Sequence, residues 1–177
     1  MGLFYTGKGD KGISDVGKRK ILVKDSVISE ALGGLDELNS LLGLVKHQRI
    51  HADFVPLLEE AQENLFIIQA HVANALFSAE GGSASGGEGK ESIPVLSEEK
   101  VRALEKILDE LESEVEPARS FVIPGATEGA AWLDFTRTVA RRTERAVVAF
   151  SKKYTLLPEP LSYMNRLSSF LFALARA

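Results

Sequence analysis

Four arginines and one glutamate fall within the nine residues from Arg137 to Arg145, Arg-Thr-Val-Ala-Arg-Arg-Thr-Glu-Arg. Arg137, Arg141 and Arg145 recur at every fourth position, so on a helix they form one guanidinium stripe that drifts about 40° per step. Guanidinium is planar, permanently charged and forked, which suits it to gripping phosphate or carboxylate oxygens two at a time. A polyphosphate is the guest such a stripe fits best. The same pattern also describes a solvated helix face whose arginines pair with Glu144, Glu128 or Asp134, and the choice depends on the rest of the chain.

A second set of anion-handling residues opens the chain. Gly2, Gly7, Gly9, Gly12 and Gly17 are interleaved with Lys8, Lys11, Lys18, Lys20 and Lys24. Close-set glycines let backbone N–H groups turn toward an anion and the lysines add charge, so Thr6 to Ser14 can wrap a phosphate chain. The Walker A spacing is absent, and a flexible basic tail is the competing reading. A third polar group, Asp36-Glu37-Leu38-Asn39-Ser40, follows Gly33 and Gly34; Asp36 and Asn39, three apart, are expected to share a polar helix edge. Paired glycines that weaken a helix suggest a close approach to its backbone, or else a kink. His47 and His51 have the i, i+4 spacing of metal ligands, but no Glu-x-x-His accompanies them. They read as the exposed end of a helix, and His71 as a satisfied residue at the edge of a core.

These residues need a scaffold, and composition bounds it. The chain has 177 residues, 45% hydrophobic and 26% charged, the mixture of an ordinary globular domain. A net charge of -4 gives no general basic field, so no nucleic-acid partner is expected. The absence of cysteine excludes disulfide and thiolate chemistry. No apolar run approaches the roughly 20 residues of a membrane span and no signal-peptide core opens the chain; no membrane association is expected and the location reads as cytoplasmic.

Hydrophobic periodicity then predicts five helices. The first runs from Ser26 to about Gln48, capped by Asp25 or Ser26, with Leu35, Leu38, Leu42 and Val45 inward. The second, near 54–79, carries a heptad seam of Leu58, Ala61, Leu65, Ile68, Val72 and Ala75. Residues 80–96 form a flexible Gly/Ser-rich connection. Ser97 caps a third helix with Val101, Leu104, Leu108, Leu111 and Val115, which Pro117 ends. Thr127 caps a fourth, reaching about Phe150, with Thr136, Ala140, Thr143, Val147 and Phe150 inward. Pro158 and Pro160 start a fifth with Met164, Leu167, Leu171 and Leu174 inward. The fold class is all-α, an up-and-down five-helix bundle with an irregular Gly/Lys-rich N-terminal arm, residues 1–25.

Taken in order, the glycine-lysine arm, the Asp36-Glu37-Leu38-Asn39-Ser40 helix, the Arg-Arg-x-Glu-Arg helix and the Tyr163-Met-Asn165-Arg-Leu-Ser helix resemble the PduO-type ATP:cob(I)alamin adenosyltransferases. The resemblance runs from about Tyr5 to Arg176 and implies one such helical domain over 1–177. It implies a homotrimer with active sites between subunits. For ATP it implies Thr6, Gly7, Lys8, Gly9 and Asp10, then Ser14 and Asp15, then Lys24, with Arg141, Arg142, Glu144, Arg145 and Asn165 from the helices. It implies that Asp36 pairs across the subunit boundary with Arg141, making Arg141, Arg145 and Asp36 the catalytic group, and that Phe121 lies beside the corrinoid. Gly7 stands where members usually carry Lys or Arg, and Gly34 where threonine is usual.

The reaction so implied is attack of Co(I) in a reduced corrinoid on the 5′-carbon of ATP, with triphosphate leaving. Cob(I)alamin is a strong nucleophile and needs no general base, so the protein supplies positioning and leaving-group charge. Lys8, Lys24, Arg141 and Arg145, with Mg2+, would carry that charge. A cob(II)alamin reductase and an adenosylcobalamin-dependent enzyme are the partners implied. A non-catalytic ATP- or corrinoid-binding sensor or carrier on the same bundle is the competing reading.

Overall fold

Apolar residues at three- and four-residue spacing build five helices: α1 (Val27–Val45), α2 (Phe54–Ser78), α3 (Glu98–Glu114), α4 (Glu128–Ser151) and α5 (Pro158–Leu174). The structure, a computed structural model, describes residues 7–15, 21–78, 94–115 and 121–177. Polar residues fix the helix starts. Ser26 Oγ accepts a hydrogen bond from Ser29 N at 3.2 Å and Thr127 Oγ1 one from Ala130 N at 3.1 Å, each such cap worth about 1 kcal/mol. Ser97 stands ahead of α3, but its hydroxyl donates to Glu99 Oε2 at 3.4 Å and does not cap the backbone.

The inward residues expected of α1, α2, α4 and α5 are all buried, and those of α3 are buried except Val115, which is half-buried. They merge into one core cluster that Leu22 and Leu96 join. Around it the helices neighbour one another in the order α2, α1, α4, α5, α3. Side-chain contacts give their directions. Gln62 with Asn39 and Glu59 with Lys46 set α2 antiparallel to α1; Arg142 with Glu37 and Thr143 with Gly34 open the α1–α4 seam that closes near Gly129 and Arg49. Glu144 with Asn165 and Asp134 with Arg176 set α5 against α4. Glu105 with Arg166, and the shared wall of Leu111 and Phe172, run α3 parallel to α5. Direction therefore alternates along the chain, the up-and-down arrangement.

Gly34 explains how α4 comes so close to α1. Thr143 Oγ1 donates to Gly34 O at 3.0 Å, and a Cβ on Gly34 would stand 3.3 Å from that hydroxyl. The close approach expected at the glycine pair is thus made by another helix, and α1 continues through it without a break. One expectation for α1 is corrected: Asn39 does not share an exposed edge with Asp36. It is buried, with its Nδ2 3.4 Å from Gln62 O, because at that height α2 covers its side of the helix.

The arm contains more order than expected. A 3-10 turn at Lys8–Lys11 leads into an antiparallel hairpin of β1 (Ile13–Asp15) and β2 (Ile21–Val23), with Ile13 opposite Val23 and Ser14 opposite Leu22. Leu22 is buried and fastens the hairpin to the bundle. Thr6, Gly17, Lys18, Lys20, Pro117, the expected last residue of α2 at 79 and residues 80–93 of the Gly/Ser-rich connection lie outside the described residues. Within the expected connection, residues 94–96 are held: Leu96 is fully buried and His71 Nε2 lies 3.0 Å from Pro94 O.

Candidate functional site

The arm presents backbone. Gly7 and Gly12 bracket the 3-10 turn with φ of 71° and 74°, the left-handed region in which a side chain is strained. That is a physical reason for glycine at position 7. Lys24 N donates to Gly12 O at 2.9 Å, and Lys24 Nζ would stand 3.1 Å from a Cβ on Gly9, so the ammonium lies over the turn. Gly7, Gly9, Asp10 and Lys24 are thereby gathered at one end of the hairpin, with Ser14 and Asp15 on its first strand.

On α4 the charged residues divide by face, since adjacent residues point about 100° apart. Arg142 faces α1 and pairs with Glu37 at 2.5 Å. Glu144 faces α5, where Asn165 Nδ2 donates to its Oε1 at 3.0 Å; Arg166 Nη1 donates to Asn165 Oδ1 at 2.9 Å and fixes the amide. Arg141 and Arg145 point outward, with Arg145 Nη1 donating to Arg141 O at 3.1 Å. Among the described residues the Arg141 guanidinium has no ion-pair partner.

Two hollows meet at Arg141. One is a groove of about 610 Å3 along the C-terminal half of α4, where Arg141, Arg145, Lys152 and Lys153 surround Glu144 over a floor of Val27 and Val148. Four cations against one carboxylate make it a site for an anion, and Val27 places it where the arm enters α1. The other is a cavity of about 750 Å3 between α3, α4 and α5, walled by Leu111, Val115, Val122 and Phe172, with Arg137, Arg141 and Arg176 on its polar side. Phe121 and Ile123, next to the wall residue Val122, are exposed. Apolar walls with a few guanidiniums suit a large, flat, mostly apolar ligand carrying polar groups at its rim.

One buried carboxylate stands behind the cavity. Asp134, 3% exposed, pairs with Arg176 and accepts from Gly125 N at 3.1 Å, and Arg137 Nε lies 3.9 Å away. The Arg137 and Arg176 guanidiniums both lie over the Phe172 ring, 5.8 and 4.9 Å from its centroid. Arg137 Nε is buried without a hydrogen-bond partner.

The structure therefore brings Arg141, Glu144, Arg145 and Asn165 together and leaves Arg142 to α1. Asp36 is exposed on α1 and does not pair with Arg141 within the chain; the pairing expected of it is one between subunits. Sequence reasoning missed Lys152, Phe172, Arg176 and the role of Asp134. Phe172 was the legible one, an aromatic residue just off the Met164, Leu167, Leu171, Leu174 stripe and so exposed without an evident reason.

Comparison with known proteins agrees with this geometry. A family model described as cobalamin adenosyltransferase matches residues 4–177. The chain is 38% identical over 176 residues to the corrinoid adenosyltransferase PduO of Salmonella typhimurium, covering 98% of this chain and 48% of that protein; it thus spans about half the length of that curated relative. It is 38% identical over 173 residues to the corrinoid adenosyltransferase of Bacillus subtilis, covering 97% of this chain and 84% of the relative. Among solved structures, a variant PduO-type ATP:corrinoid adenosyltransferase from Lactobacillus reuteri, complexed with cobalamin and ATP, superposes with a TM-score of 0.82 at 30% identity, over 98% of this chain and 89% of that one.

Proposed function

The chain belongs to the cobalamin adenosyltransferase family, and from that premise we propose that it transfers the 5′-deoxyadenosyl group of ATP to Co(I) of a reduced corrinoid. The observation that carries this reading is Arg141, which borders both the basic groove and the apolar cavity. A bisubstrate transfer needs a triphosphate site and a corrinoid site that touch, with positive charge at the junction. The cobalt–carbon bond forms as the C5′–O5′ bond breaks, and the electron pair leaves with triphosphate.

Each residue then has a task. Arg141 and Arg145 hold the departing triphosphate, with Lys24, Lys8 and the arm's backbone N–H groups closing over it and Lys152 extending the stripe. Glu144 and Asn165 form a hydrogen-bonded pair at the nucleotide's edge. Phe121, Val122 and Phe172 present an apolar surface to the corrinoid and keep water and a lower axial ligand from cobalt. The donors fit Mg2+ bound mainly through phosphate: Glu144 lies in the groove and Asp10 in the turn of the arm, and one or two carboxylates suffice for that ion. Bound there, Mg2+ would offset phosphate charge.

The working unit is a homotrimer in the cytoplasm. Supporting it, Leu44 on α1 and Phe135 on α4 are exposed large apolar residues that the antiparallel register brings to similar height, and Asp36, two turns nearer the start of α1, has no partner among the described residues. Arg137, with its unsatisfied Nε, and Arg141 are the arginines that a carboxylate from a neighbouring subunit meets. A cob(II)alamin reductase supplies the reduced corrinoid and an adenosylcobalamin-dependent enzyme takes the product.

The test is an anaerobic assay of purified protein with ATP, Mg2+ and chemically reduced cobalamin. Protein-dependent loss of the Co(I) spectrum, a light-sensitive alkylcobalamin and stoichiometric triphosphate are expected. Saturable ATP binding without product would overturn the reading in favour of a sensor or carrier.

A further inference from the structure

Asp134 is buried on α4, yet it touches the segment before that helix and the residues after α5 as well as Arg137 on its own helix. Its Oδ2 accepts from Gly125 N at 3.1 Å and from Arg176, and its Oδ1 faces Arg137 Nε at 3.9 Å. Among the described residues, the Gly125 contact is the one hydrogen bond that ties residues 121–126 to the helices. That segment is otherwise outward-facing, with Phe121, Val122 and Ile123 all exposed. Arg176, held by the same oxygen, stacks on Phe172 at 4.9 Å. A carboxylate buried beside two guanidiniums is retained at a desolvation cost, and removing it would strand charge.

We propose that Asp134 is a positioning residue that sets the wall of the apolar cavity, fixing the Phe121–Gly125 segment, Arg176 and Phe172 relative to the arginine stripe. Asp134 does not line the cavity; it acts through Gly125 and Arg176. The inference deepens the proposed function, resting on the cavity as the corrinoid seat, and it predicts an effect on one substrate only. The nucleotide groove shares Arg141 with the cavity but contains none of Gly125, Phe172 or Arg176.

The test pairs Asp134→Asn, which keeps the size and one acceptor oxygen but removes the charge, with Arg176→Lys, which keeps the charge but loses the fork and stacking. For both, the KM for reduced cobalamin should rise about tenfold or more while the KM for ATP stays within about twofold. Independently of turnover, amide hydrogen exchange at 174–177 should quicken about five- to tenfold in both variants and at Gly125 in Asp134→Asn, with α1 and α2 unchanged. Equal rises in both KM values, or wild-type exchange at these sites, would overturn the proposal. If Asp134→Asn fails to fold, Arg176→Lys decides alone by the exchange readout, because Arg176 itself lines the cavity. Wild-type protein without transferase activity would defeat the functional reading, and the exchange pattern would still decide whether Asp134 anchors the wall.

Discussion

Arg141→Ala separates catalysis from folding more cleanly than any other substitution on α4. Its side chain is exposed and, among the described residues, makes no ion pair, while the backbone carbonyl that receives Arg145 is untouched by the change. Alanine is the better helix former by a few tenths of a kcal/mol. Stability should therefore stay within about 0.5 kcal/mol and Tm within about 2 °C for a chain of this size. Activity should not. Arg141 stands where the 610 Å3 groove and the 750 Å3 cavity meet, so with both substrates seated it is largely shielded from water. Removing one desolvated donor from a developing anion costs about 10²–10³ in kcat, or roughly 3–4 kcal/mol. Arg141→Lys keeps the charge but loses the bidentate fork, and should fall between the two, with a loss of about tenfold. The assay is anaerobic consumption of Co(I) at varied ATP and corrinoid, alongside thermal unfolding followed by circular dichroism. A kcat within about threefold of wild type, or a variant that loses its helical signal, would refute the assignment.

Other outcomes follow from the same geometry. Phe121→Ala should lower the rate starting from Co(II) more than from prereduced Co(I), because a cobalt ion that has lost its lower donor is easier to reduce; equal losses would count against its role at the corrinoid. Asp36→Ala should weaken assembly and activity. In double-mutant cycles with Arg137→Ala and Arg141→Ala, a coupling of about 0.5–3 kcal/mol identifies its partner, whereas no coupling with either means that it meets neither. Tyr163 gives a pH signature: burial pushes its hydroxyl up to about 12, helped by the Glu60 charge and opposed by the hydrogen bond from Asn64. The folded protein holds this proton more tightly than the unfolded chain, in which tyrosine titrates at about 10. Its contribution is thus intact below pH 10 and is lost as pH rises from 10 to 12, a loss of roughly 2–3 kcal/mol. The difference in phenolate absorbance between wild type and Tyr163→Phe should appear only near the upper pH, and titration of that difference at about 10 would contradict the burial argument.

Much of this protein was legible in its sequence because helix periodicity is local. Leu58 to Ala75, or Met164 to Leu174, declare their buried faces through spacing alone, and Ser26 and Thr127 declare their caps through hydrogen bonds to residues three along the chain. Residue type and order likewise singled out the guanidinium stripe and the glycine-lysine arm as candidates for anion binding. What spacing could not reveal was which side of a helix another helix covers. Asn39 and Asp36, alike in sequence, part company because α2 covers one and not the other; Arg141 and Arg142, adjacent in sequence, face a groove and a neighbouring helix. Phe172 and Arg176 become parts of a cavity only because α3, α4 and α5 leave a space between them, and Asp134 becomes its anchor through contacts with residues nine and forty-two positions away. Contacts of that range depend on the register of packed helices, which only the tertiary structure decides.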